Sequence, residues 1–365
     1  MPRLRYQKST IKEVAARAGV STTTISLFVS GREGVCSPDT AARIRAAVAD
    51  LHYTPSSLTR GLRRKASMTF GVCLPNPLDA DLAYGSSFFE QLWRGIMYQA
   101  DRENYALLHF PLAVRKGTSC DAFLDGRVDA MLLQDQGNVR ALRLAAAGMP
   151  TVLLARSLDL PDGCGAVCTD EGRTADLALS HLWALGHRRI AHIAGPAGAR
   201  APRNVAPATV TARWCDDVGV QRLDGYMEWM GRRGAFDPAL VSYAQAWSAP
   251  QAPDMLDGWL ALAHPPTAAF CANDAQARDL IAAAWRRGLR VPQDFSIVGV
   301  DNSSRDVNGE SLLTSVDAGL EENGREAVRA LLRLMSGDPA EECRVALPPA
   351  RLVIRHSAAP SGRMT

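Results

Sequence analysis

Near the N-terminus, apolar residues recur at helical spacing in three short stretches. Ile11, Val14, Ala15 and Ala18 share one face. Thr10 precedes them as an N-cap, and Glu13, three residues later, completes a capping box. Gly19 stops this helix. Ser21 caps a second one, with Ile25, Phe28 and Val29 facing inward, and Gly31 ends it. Ser37-Pro38-Asp39 opens a third, with a capping serine, proline at the first helical position and an acid in the first turn. Ala42, Ile44, Ala47, Val48 and Leu51 supply its apolar positions. Together they predict a minimal three-helix bundle. Its first two helices, joined by a tight glycine turn, have helix-turn-helix form, in which the second helix suits the major groove of DNA.

From Met68 the texture changes to short apolar runs separated by amphipathic stretches. FGVCLPN (70–76), YALLHF (105–110), DAMLLQ (129–134) and TVLLAR (151–156) read as strands. Helices are expected over 88–104, around 118–125 and over 138–149. The pattern restarts with a helix over 172–187, and strands follow at 188–195, 239–243, 266–274 and 295–301. Helices at 222–234, 275–288 and 320–335 separate or follow them, and RLVIRHSAAP supplies a final strand. Strands alternating with helices in this way predict parallel sheets with crossovers on both faces, arranged as two lobes. The expected class is α/β: a helix-turn-helix domain (1–54), a hinge (55–67) and a two-lobed, periplasmic-binding-protein-like body (68–365).

Charge sharpens this division. The whole chain of 365 residues carries +3, yet residues 1–67 hold 12 Lys and Arg against 4 Asp and Glu. The remainder is mildly acidic. A basic module on an acidic body suggests a polyanion partner, with a solvated basic tail as the alternative. The eight cysteines form no CxxC pair, and Cys164 and Cys168 have no second ligand pair at zinc spacing, so buried reduced thiols are expected and no metal site. The first ten residues have no apolar core behind their charges, and no run of 18 apolar residues exists. The expectation is a cytoplasmic protein with no membrane partner.

The segments TIKEVAARAGVSTTTISLFVSG and SPDTAARIRAAVADLHYTPSSLTRGLR resemble the DNA-binding segment of the lactose-repressor (LacI/GalR) family. The resemblance implies a DNA-binding transcriptional regulator, commonly a repressor, controlled by a small-molecule effector. Thr22 and Thr23 would face base edges, where threonine hydroxyls and methyls both find partners. Thr24 and Ser26 would bond phosphates and fix register. Thr10, Ser21, Leu27 and Ser30 complete the carried-over DNA contacts within the domain. Leu27 stands where the family usually has Arg, and Ser30 where it has Asn, which predicts an altered operator half-site. In the hinge, Leu58, Arg60 and Leu62 are the expected contacts, with Leu62 as an apolar wedge in the minor groove. The alternative there is a flexible basic linker.

LALSHLWALGHRRIAHIAGP, RLDGY, PTAAFCAND, GLRVPQDFSIVGVD and LVIRHSAAP extend the resemblance along the body. It implies effector contacts from Arg222, whose planar fork would anchor hydroxyls or carboxylates, from Asn273, and from Asp301, which would accept two hydroxyls or an amine. Trp247 would pack on the effector ring. All four read as strand ends or the loops after them; otherwise they form an ion pair, a turn and core packing. Pro75 and Asn76 end the first strand and would line the cleft. The family's acid near the end of the fourth strand is Ala155-Arg156 here. A sugar or sugar derivative is the expected effector, with a nucleobase or amine as the alternative. Residues 196–221 are longer than the family norm. No leucine heptads follow the last strand, so a homodimer reading a pseudo-palindromic duplex is expected. The competing classes are a solute-binding transport protein, for which residues 1–65 have no use, and an enzyme, for which no nucleophile motif, cofactor loop or metal spacing speaks.

Overall fold

The computed structural model describes residues 9–29, 32, 34–53, 66–74, 86–110, 120–134, 139–155, 159–195, 217–244, 246–303, 312–349 and 351–362. The chain forms two compact units, Met1–Met68 and Thr69–Thr365.

In the first unit α1 (Ile11–Ala18), α2 (Thr22–Val29) and α3 (Pro38–Asp50) each start at a side-chain cap. Glu13 N donates to Thr10 Oγ1 at 3.3 Å, and Thr10 N donates back to Glu13 Oε2 at 2.6 Å. Thr24 N donates to Ser21 Oγ at 3.0 Å, and Thr40 N to Ser37 Oγ at 3.3 Å. Gly19, at φ +66°, closes α1 in the left-handed conformation that glycine tolerates. Val14, Ala15, Ala18, Ile25, Ile44 and Ala47 form the centre of the core. One assignment shifts: Ala42 is exposed and its neighbour Ala41 is buried. Stepping back three residues from Ile44 keeps to the helical face, whereas Ala42 lies off it.

The second unit holds two six-stranded sheets. Its strands are β1 (Thr69–Cys73), β2 (Ala106–His109), β3 (Ala130–Leu133), β4 (Thr151–Leu154), β5 (Cys164–Thr169), β6 (Ile190–Ala194), β7 (Val241–Tyr243), β8 (Ala268–Cys271), β9 (Ser296–Val300), β10 (Thr314–Asp317), β11 (Arg344–Leu347) and β12 (Arg351–Val353). The helices between them are α4 (Ser86–Arg102), α5 (Val139–Ala146), α6 (Glu171–Ala184), α7 (Asp217–Gly231), α8 (Ala252–Leu260), α9 (Asp274–Arg286) and α10 (Leu320–Ser336). The N-lobe sheet runs β11-β5-β4-β3-β1-β2 and the C-lobe sheet β12-β10-β9-β8-β6-β7. Every pairing is parallel except β10 with β12. Central strands such as β3, β4 and β9 are buried throughout, as parallel strands covered on both faces must be.

The chain passes between the sheets three times: between β5 and β6, β10 and β11, and β11 and β12. Hydrogen bonds tie these passages together. Thr169 Oγ1 donates to Ala318 O at 3.0 Å, and Asp170 N donates to Leu347 O at 2.7 Å. The interlobe hinge is therefore one bonded cluster. In the N-lobe α4 and α10 cross at Gly95 and Gly324. A Cβ on Gly95 would collide with Glu321 O, and one on Gly324 with Leu92 O.

Of the helix expected around 118–125, residues 118 and 119 lie outside the described residues, and 121–127 form turns and bends. Cys120 and Phe123 anchor that stretch in the core, and a segment this short has too few turns to offset helix nucleation. Strands β5, β10 and β11 and helix α8 were not expected from the pattern. In the 196–221 stretch, residues 217–221 are the start of α7 and the rest lie outside the described residues. No helix among the described residues is long and apolar enough to cross a membrane, and no three potential metal ligands cluster there.

Candidate DNA-reading helix and interlobe ligand site

In the first unit, Thr22 and Thr23 are exposed on the opening turn of α2. The cap places them there: Ser21 fixes the helix start, and Ile25 turns the opposite face into the core. Thr24 is half-buried, and its hydroxyl lies 2.9 Å from Ser21 Oγ, so it takes part in the cap. Ser26 and Leu27 are half-buried, and Thr10 is exposed. Ser30, Leu58, Arg60 and Leu62 lie outside the described residues.

In the second unit, Arg222, Asn273, Asp301 and Trp247 come together at the C-terminal ends of β6, β8 and β9. This is where open α/β sheets bind ligands. Pro75 and Asn76 lie outside the described residues. Arg222 differs from expectation in origin, since it projects from the second turn of α7 and not from a strand end. The helix seats it through Gly225, one turn on, where a Cβ would meet Ala175 Cβ of α6 at 2.9 Å. That close helix contact brings Arg222 against Glu171, the first residue of α6.

The Arg222 guanidinium is 1% exposed and fully engaged. Nε donates to Glu171 Oε2 at 2.7 Å, and Nη2 to Glu171 Oε1 at 3.0 Å. Nη1 donates to Ala272 O, and Nη2 reaches Asp301 Oδ1 at 3.4 Å. The guanidinium lies over the Trp247 ring, with Arg222 Cζ 5.9 Å from the ring centroid. Asn273 is also committed: Gln276 N donates to its Oδ1 at 2.9 Å, capping α9, and its Nδ2 donates to Trp247 O at 2.8 Å. It thus holds the loop that carries Trp247.

Asp301 stands in the left-handed region, at φ +96°, a conformation that stores strain and is tolerated at functional sites. Burial pushes its carboxyl up to about 7; Arg222 opposes this, and Asp274 and Glu171 add to it. Behind it, His192 sits in the middle of β6, stacked on Tyr226 and Phe270, with Nδ1 bonded to Phe270 O at 2.8 Å. Burial, with help from Arg222, pushes its imidazole down to about 4.

These two groups act on stability with opposite sign. Between about 4 and about 7 the folded protein keeps a proton on Asp301 that the unfolded chain, with its ordinary carboxyl near 3.8, has released. Acidification through that window therefore stabilises the fold through Asp301. Through His192 it destabilises, because only the unfolded chain takes up a proton between 6.5 and about 4. Asp301→Asn removes the first effect alone. Relative to the parent, its stability should fall more steeply on acidification from neutrality, by up to about 1.4 kcal/mol per pH unit. Urea unfolding at several pH values reads this directly, and parallel curves for the two proteins would contradict it.

Between the lobes a small half-open cavity is lined by Phe88, Leu92, Ala155, Thr169, Glu171 and Asn323, among others. Sequence reasoning missed Glu171, Asn323 and Thr169. Asn323 Nδ2 donates to Thr169 Oγ1 at 3.2 Å and to Gly319 O at 3.0 Å, while its buried Oδ1 meets no donor. The available signal was the Thr169-Asp170-Glu171-Gly172 run, a strand end passing into a capped helix start.

The comparisons agree with this architecture. The family model described as "Bacterial regulatory proteins, lacI family" matches residues 10–56, and the "Periplasmic binding protein-like domain" model matches residues 179–358. The HTH-type transcriptional repressor CytR of Escherichia coli (strain K12) is 29% identical over 346 residues, covering 90% of each chain. The ribose operon repressor of the same strain is 27% identical over 346 residues, covering 93% of this chain and 97% of that protein. Among solved structures, the lac repressor dimer bound to operator and the anti-inducer ONPF superposes with a TM-score of 0.75. Its identity is 25%, and the match covers 97% of this chain and 100% of that one. The transcriptional regulator CelR–cellobiose complex gives a TM-score of 0.65 at 26% identity, covering 96% and 100%. A helix-turn-helix module followed by a two-sheet binding body, with relatives aligned along about nine-tenths of its length, makes this chain a member of the lacI family of bacterial regulatory proteins.

Proposed function

We propose that the chain is a transcriptional repressor, and not an enzyme or a transport protein, that reads a pseudo-palindromic operator as a homodimer in the cytoplasm. Its DNA affinity is set by a small polar effector held between the lobes. The observation that carries this reading is the capped α2 with Thr22 and Thr23 outward, joined in one chain to a ligand-type cleft with a hydrogen-bonded hinge. Sugar derivatives and nucleobases both match the chemistry of a lining that pairs an apolar wall, Phe88 and Leu92, with Glu171 and Asn323. By linkage, an effector that prefers one angle between the lobes shifts operator affinity by its differential affinity for the two states.

Thr22 and Thr23 are proposed as base readers, Ser21, Thr24 and Ser26 as positioning groups, and Leu27 as the residue that alters the half-site. Leu27→Arg restores a fork suited to guanine, worth about 1–3 kcal/mol of discrimination at one base pair. Selection from random duplexes should then give a guanine-containing half-site for the variant where the parent has another base. Identical selected sites for the two proteins would refute this role. Thr22→Ala combined with Thr23→Ala should lose most of the preference for operator over shuffled DNA at fixed salt while keeping the salt-dependent binding to both.

A further inference from the structure

The charges around the cavity specify the kind of molecule it takes, an inference that rests on this cavity being the effector site. Glu171 lines the cavity; outside the lining, buried Arg222 joins it to buried Asp301, and Asp274 is buried as well. Asp274 is satisfied internally: Ser303 N donates to its Oδ2 at 2.7 Å and Ser315 Oγ to its Oδ1 at 2.6 Å. Glu171 holds the guanidinium by two bonds, and Ala272 O takes a third. Asp301 is left with the 3.4 Å contact to Nη2, and Arg222 is the one positive group among the described residues that acts on it.

The second observation is independent of charge. Asn323 lines the cavity, is 3% exposed, and is fixed by the donors of its amide nitrogen, yet its Oδ1 has no partner. Buried polar groups almost always find partners, so an orphaned acceptor marks a place where something donates. Among the described residues that line the cavity, the unmet group is this acceptor. An anion would approach carboxylates whose guanidinium is already held, and like charges in a poorly solvated site repel strongly.

We propose that the effector carries a positive charge and several N–H or O–H donors, as a protonated amine or amino sugar does, and that carboxylated and phosphorylated compounds are excluded. Its donors satisfy Asn323 Oδ1 and its charge faces Glu171, backed through Arg222 by Asp301, while its carbon skeleton lies against Phe88, Leu92 and Leu320. Arg222 serves as the internal counter-ion that keeps Glu171 in place, not as an anion anchor.

Thermal unfolding of the full chain tests this against three panels. The amines are glucosamine, galactosamine, putrescine and histamine; the neutral compounds are glucose, ribose and inositol; the anions are glucuronate, gluconate and ribose 5-phosphate. A bound ligand raises Tm by mass action. The expected result is a dose-dependent rise confined to the amine panel, with binding at least tenfold weaker in Asp301→Asn. Ala155→Asp is a second variant, since it adds an acid to the lining at a φ of +54° that aspartate accepts. It should bind the same amine at least tenfold more tightly. A rise with any anion, a rise with neutral compounds alone, or no rise in any panel overturns the proposal. Operator selection without effector distinguishes the two levels: if sequence preference persists while the panels fail, the charge class is wrong and the regulator reading stands.

Discussion

Replacing Arg222 with methionine is expected to lower the stability of the body by about 3–5 kcal/mol, the range for removing one partner of a buried ion pair. The side chain fills space beside the helix contact at Gly225, and methionine retains most of that volume. What it removes is the counter-charge to Glu171 and Asp301, whose side chains keep only 4% and 6% of their surface. Both carboxylates must then protonate, draw in water or disrupt the α6–α7 contact. The companion substitution Glu171→Gln in the same chain should recover part of the loss, because neutralising both partners relieves the desolvation that made the single change costly. Urea unfolding at neutral pH measures this. A loss below about 1 kcal/mol would mean that Arg222 is solvated and available, as an effector anchor would be.

Gly324→Ala and Gly95→Ala should each destabilise by about 3 kcal/mol, at the upper end of overpacking costs, although alanine is the better helix former. At this crossing the backbones of α4 and α10 touch: a Cβ at Gly324 would also lie 2.9 Å from Ile96 N, which is backbone and cannot rotate away. The two helices must part, and with them the hydrophobic layer of Ile96, Ala327, Val328 and Leu331 on the N-lobe sheet. Gly258, inside α8, has nothing within 4 Å of its own Cβ position. Gly258→Ala should therefore be neutral or stabilise by up to about 1 kcal/mol. The same chemical change with opposite outcomes isolates packing from helix propensity. Equal effects at Gly324 and Gly258 would contradict the close crossing.

Much of this molecule was legible because its local signals agree with its tertiary ones. Thr10–Glu13, Ser21 and Ser37-Pro38-Asp39 mark helix starts by chemistry that acts within four residues, and the structure uses all three. TVLL and SIVGV read as buried strands because continuous β-branched and leucine runs suit a doubly covered sheet. CGAVCT did not, because Cys, Gly and Ala carry little β-preference; it becomes β5 through neighbours on both sides, β4 and β11. RVAL, β11, joins the N-lobe sheet from near the end of the chain, a pairing of long sequence separation that no local pattern encodes.

The site shows the same division. Arg222, Asn273 and Asp301 were identifiable through their motifs, but what surrounds them was not. Glu171 lies 51 residues from Arg222 in sequence, and only the Gly225 helix contact brings the two together. That partner changes the chemistry, turning an expected open anchor into half of an ion pair. Asn323 falls inside the helix that the pattern predicts over 320–335, and nothing local sets it apart. Its orphaned oxygen exists only because Thr169 and Gly319 take the amide nitrogen.

The most direct test of the account is a selection of duplexes from a fully random pool by the purified full-length chain, with and without the amine panel. A two-fold symmetric site should be enriched, bound roughly 10³-fold or more tightly than shuffled DNA at the same salt, and Thr22→Ala with Thr23→Ala should abolish the enrichment. Sequence-independent binding that follows salt alone, in every ligand condition, would contradict it.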